Sequence, residues 1–89
     1  MKFRLFVEGH PFFSWCGQGA INEVEAESIE NAAEIMGMKI ISIQGLKAKV
    51  IPIKPAKFQR DLRSCGCSPK AAREYQEKLV IEPAAKNKN

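Results

Sequence analysis

Phe3, Leu5 and Val7 fall on one side of the opening segment KFRLFVE, with Lys2, Arg4 and Glu8 on the other. A period of two predicts a half-buried strand over residues 2–8. The next segment, GHPFFSWCGQG (residues 9–19), is bracketed by glycines and carries Pro11. It predicts a turn or loop holding an apolar knot of Phe12, Phe13 and Trp15, with room for a short strand at 12–16. In AINEVEAE (20–27), Asn22, Val24 and Ala26 alternate with Glu23 and Glu25, which gives a partner strand with an acidic wet face.

Ser28 then stands as an N-cap, Glu30 suits the positive end of the helix dipole, and Gly37 supplies the stop. Between them Ile29, Ala32, Ala33 and Met36 recur at i, i+3, i+4 and i+7, so a helix is expected there. MKIISI (38–43) is rich in β-branched residues, and QG at 44–45 is a turn into LKAKVIPI. There Leu46, Ala48 and Val50 alternate with Lys47, Lys49 and Ile51. Pro52 cannot donate to a ladder, which puts the end of that strand at a sheet edge.

Past KPAK, Phe58 and Leu62 lie four apart while Arg60 and Arg63 point elsewhere, predicting an amphipathic helix over 56–64. After CGC, Ser68 caps a second helix with Pro69 at its first position. Ala71, Ala72, Tyr75 and Leu79 carry that helix to about Val80, before Pro83. The expected fold class is α+β: a four-stranded, mostly antiparallel ββαββ sheet with one packed helix, followed by a C-terminal helix pair. A single domain, 1–89, divides into sheet plus helix (1–54), a basic helix pair (55–82) and a frayed tail (83–89).

Eighty-nine residues, 45% of them hydrophobic, bury only somewhat more than about 60% of the unfolded surface. Stability is marginal, and apolar surface is left for a homodimer to cover. Binding is favoured over multistep chemistry, because the chain shows neither a base beside a nucleophile nor a phosphate-binding glycine loop. No catalytic residue and no cofactor is expected, and His10 before Pro11 reads as a loop residue. No apolar run reaches the ~18 residues a membrane span needs, and the N-terminus lacks a secretory h-region, so a cytoplasmic protein is expected.

The three cysteines, an odd number, point to thiols rather than a disulfide frame. Cys65 and Cys67 with Cys16 and His10 would supply four zinc ligands, but Cys-x-Cys is not the spacing of ordinary fingers and ribbons. A bridge between Cys65 and Cys67 would be strained. RDLRSCGCSPKAAREY (60–75) is therefore read as a helix corner: Cys65 is a small apolar residue on a last turn, Gly66 the stop and Cys67 a gap-filler.

Charge is unevenly distributed. Residues 1–44 carry three cations against six glutamates, net −3, and residues 45–89 carry eleven against four acids, net +7. A basic second half is an electrostatic footprint for an anionic partner. Lys47, Lys49, Lys54, Lys57, Arg60, Arg63, Lys70 and Arg73 are the candidate phosphate contacts, giving a small binding protein of phage or mobile-element type that docks on nucleic acid or a nucleic-acid-handling complex. The alternative is a protein-binding inhibitor or adaptor of host machinery, of the sort that includes anti-CRISPR proteins. It would act through an acidic face of Glu23, Glu25, Glu27, Glu30 and Glu34.

The strand, Ser-capped helix, Gly, strand order of EVEAESIENAAEIMGMKIISI (23–43) resembles part of the HicB-type antitoxins. Such antitoxins place their DNA-binding part beyond a fuller sheet, and this chain has its lysine strand and a short helix pair instead. The resemblance transfers no functional residue.

Overall fold

In the computed structural model, which describes residues 1–10 and 12–84, the elements run β1 (Lys2–Val7), β2 (Glu23–Glu25), α1 (Ile29–Ile35), β3 (Met38–Gln44), β4 (Lys47–Pro52), α2 (Pro55–Ser64), α3 (Pro69–Gln76) and β5 (Leu79–Pro83). The fold is α+β, with three helices and an antiparallel five-stranded sheet in the order β2-β1-β5-β4-β3. Both serine caps are in place: Ser28 Oγ accepts from the Asn31 amide and Ser68 Oγ from the Ala71 amide, each at 3.1 Å. Gly66 (φ +104°) turns the chain between α2 and α3 in a conformation open chiefly to glycine.

The helices cover one face of the sheet. Ala32 and Ala33 of α1, Phe58 and Leu62 of α2 and Ala72 of α3 share one core with Phe3, Leu5, Val7, Val50, Leu79 and Ile81 of the strands. Because strand side chains alternate, the intervening residues point to the other face, which no element among the described residues covers. That face carries Lys2, Arg4 and Phe6 of β1, Glu23 and Glu25 of β2, Lys47 and Lys49 of β4, and Val80 and Glu82 of β5. Ser42, Lys49, Val80 and Phe6 stand side by side across four strands.

Several expectations need correction. The second helix of the pair stops at Gln76, and Leu79–Pro83 is a fifth strand in the centre of the sheet, between β1 and β4. Three consecutive apolar residues, Leu79 to Ile81, suit a helix turn or a buried strand equally well; only the vacancy between β1 and β4 decides. Pro83 pairs with Phe3, and the Ala84 amide donates to the Lys2 carbonyl at 2.8 Å, so the start of the expected tail is anchored. Residues 85–89 of that tail, and Pro11, lie outside the described residues. No strand forms over 12–16 among the described residues. Pro52 pairs with Met38 of β3 but lies beyond the short stretch where β5 pairs with β4, at Ala48 and Lys49, so the end of β4 is open on its β5 side, as the proline leads one to expect. Among the described residues no helix is long and apolar enough to cross a membrane.

Candidate functional site

The loop after β1 is fastened to α2 at several points. Cys16 and Cys65 form a disulfide across a Cα separation of 6.7 Å, contrary to the expectation of three thiols, and Cys67 alone is free. The sequence separation of 49 residues hid this pairing; it depends on where the loop lands on the finished helix. Asp61 Oδ2 accepts from Trp15 Nε1 at 3.2 Å and from Lys57 Nζ at 2.9 Å. Lys57 also donates to the Gln18 carbonyl at 2.9 Å and stands 5.2 Å from the centre of the Trp15 ring. The Trp15 amide donates to Asn22 Oδ1 at 2.6 Å, and Asn22 Nδ2 donates back to the Trp15 carbonyl at 2.7 Å. A Cβ at Gly17 (φ +123°) would sit 2.5 Å from Asp61 Cγ, so only glycine lets the loop lie this close.

Fastening the loop fixes its aromatic tip. Phe13 and His10 meet the Tyr75 ring of α3 edge-on, with ring centroids 5.7 and 4.9 Å away, while Phe12 projects 97% exposed. Three clefts adjoin here. The first, about 330 Å³, is lined by Gly9, His10, Phe12, Phe13 and Tyr75. The second shares Gly9 and continues past Glu8, Glu77 and Lys78 to Lys49. The third shares Glu8 and Lys49 and crosses the open face to Val80, Ser42, Gln44 and Lys47. Across the molecule a separate apolar cavity of about 320 Å³ lies among Trp15, Ile35, Met36, Pro52 and Ile53, with Lys54 and Lys57 among its lining.

The eight candidate phosphate contacts do not share one surface. Lys47 and Lys49 stand on the open face of the sheet, whereas Arg60 and Arg63 of α2 and Lys70 and Arg73 of α3 belong to the helical layer on the opposite side. Helical spacing turns those four away from Phe58, Leu62 and Ala72, and all four are exposed with no carboxylate in ion-pair reach among the described residues. Gln59 Nε2 donates to Gln76 Oε1 at 2.8 Å, joining the two helices. Glu74 lies on the exposed side of α3 and leaves this outer surface at net +3, while Glu77, the C-cap, borders the cleft with Glu8 and Lys78. Lys54 sits at the N-cap of α2, and Lys57 is occupied in holding the loop.

The candidate acidic residues are divided as well. Glu23 and Glu25 are on the open face, the first 3.9 Å from Lys2 Nζ and the second paired with the N-terminal ammonium at 2.6 Å. Glu30 and Glu34 are on the exposed side of α1, and Glu27 precedes it. Further along the open face, Arg4 Nε lies 3.5 Å from Glu82 without hydrogen-bond geometry, and its guanidinium carbon is 4.7 Å from the Phe6 ring centre. His10, Tyr75 and Lys78 are not among the binding residues that the sequence suggests: Tyr75 stands there as one apolar position of a helix, and no local signal shows that His10 meets it.

Fold and site together define a two-layer α+β sandwich with one sheet face left open by the described residues and a cross-linked aromatic loop at its end. Compared with known proteins, the chain matches no family model, no curated protein and no solved structure.

Proposed function

We propose that the chain is a small non-enzymatic binding protein that docks on nucleic acid, with the outer surface of the α2–α3 pair against the phosphate backbone. The observation that carries this is the set Arg60, Arg63, Lys70 and Arg73: four exposed cations with no carboxylate partner among the described residues, on helices locked together by a core and by the Gln59–Gln76 bond. Lysine and arginine displayed this way displace condensed counterions, which gives affinity without sequence choice. On the sheet Glu23, Glu25 and Glu82 are already engaged by Lys2, the N-terminus and Arg4, and on α2 the carboxylate of Asp61 is engaged by Lys57. An inhibitor acting through an acidic face has less behind it, since its five glutamates are split between two layers.

The test is fluorescence anisotropy with labelled nucleic acid across a salt series. If all four cations reach phosphates, affinity falls about a hundredfold between about 50 and 200 mM salt. Reversing all four to glutamate removes binding while the melting temperature is kept. No binding to duplex or single strand at low salt, or binding that the fourfold reversal leaves untouched, refutes the proposal.

A further inference from the structure

Phe12 is the most exposed of the large apolar side chains, yet it belongs to a loop held by a disulfide and by the Trp15–Asp61 bond. Its neighbours Phe13 and Tyr75 are half-buried against the core, so two rings are held in place beside it while Phe12 itself stands in solvent. From this tip the adjoining clefts lead to Lys78 and Lys49 and then to Lys47, none of which has a carboxylate in ion-pair reach among the described residues. Glu8 and Glu77 line the middle stretch, so the groove is only mildly cationic and charge alone does not hold a ligand there. A ligand suited to it presents flat apolar faces to the rings and spaced negative charge to the lysines.

We propose that this groove binds an unpaired strand of nucleic acid, bases stacking on Phe12 and its aromatic neighbours and phosphates running past Lys78, Lys49 and Lys47. Stacking on side-chain rings tolerates any base, because every base has a π-face. A duplex cannot use the site in this way, since its base faces are already stacked on one another. The inference rests on the nucleic-acid reading above and adds to it the form of nucleic acid, at a second surface joined to the first through α3.

The experiment measures anisotropy of labelled oligothymidylate and oligouridylate of about 12 nucleotides, and of a duplex of the same length. Tighter binding of either single strand than of the duplex, by about tenfold or more, is expected, and the two strands show whether the 2′-hydroxyl matters. Phe12→Ala weakens single-strand binding about five- to a hundredfold and leaves duplex binding unchanged, while Phe12→Tyr retains it. Lys49→Glu weakens the single strand as well. Because Phe12 is exposed, the melting temperature of its variants stays that of the parent. Equal affinity for strand and duplex, with no effect of Phe12→Ala, overturns this inference and leaves the helix-pair reading standing. Failure of every probe to bind removes both.

Discussion

Reduction of the Cys16–Cys65 bridge tests how the loop and helix pair are held. The cross-link joins residues 49 apart, and closing a loop of that length removes about 14 cal/mol/K of entropy from the unfolded chain, or about 4 kcal/mol at 25 °C. For a domain this small each kcal/mol is worth about 4–8 °C in melting temperature, so reduction lowers the midpoint by about 15–30 °C. Trp15 and Asp61 still hold the loop in the reduced folded state, so the loss acts through the unfolded ensemble. The assay is thermal melting by circular dichroism with and without a strong phosphine reductant, beside thiol titration of the unreduced protein in denaturant. One reactive thiol, Cys67, is expected before reduction and all three cysteines after it. A Cys16→Ala/Cys65→Ala variant melts with the reduced protein and no longer responds to reductant. Three thiols at the outset, or oxidised and reduced midpoints within about 3 °C, refutes the reasoning.

Two further outcomes follow from the packing. Asp61→Ala leaves Trp15 Nε1 without its acceptor in a site where Trp15 is 8% exposed, costing about 1–3 kcal/mol in denaturant melts. Asp61→Asn keeps an acceptor and gives up only the Lys57 ion pair, which is partly exposed and worth no more than about 1 kcal/mol; equal losses in the two variants would rule out the Trp15 bond as the main contribution. Removing residues 79–89 takes β5 from the middle of the sheet and abolishes cooperative melting, whereas a cooperative transition in that truncated chain would contradict the strand order.

Local signals were legible where the partner of a residue was near in sequence. The serine caps at Ser28 and Ser68, the glycine corner at 66, and the alternation that puts Ala48 and Val50 inside and Lys47 and Lys49 outside all emerge as read. Helical and strand periods say only which side of an element is wet. They do not say which wet sides coincide, and the sheet lysines and helix arginines turned out to belong to opposite layers.

The sequence by itself determined the α+β class, the positions of β1, α1, β3, β4 and α2, the start of α3, and the core-facing residues of β1, α1 and α2, because those features follow from contacts a few positions apart; Leu46, expected on the face of Ala48 and Val50, is 76% exposed in the turn before β4. Tertiary structure alone decided that Leu79–Pro83 is the central strand, that Cys16 meets Cys65, and that His10, Phe13 and Tyr75 gather beside an exposed Phe12. Each of these joins segments dozens of residues apart, and such pairings become favourable only once a shared core has closed the loops between them.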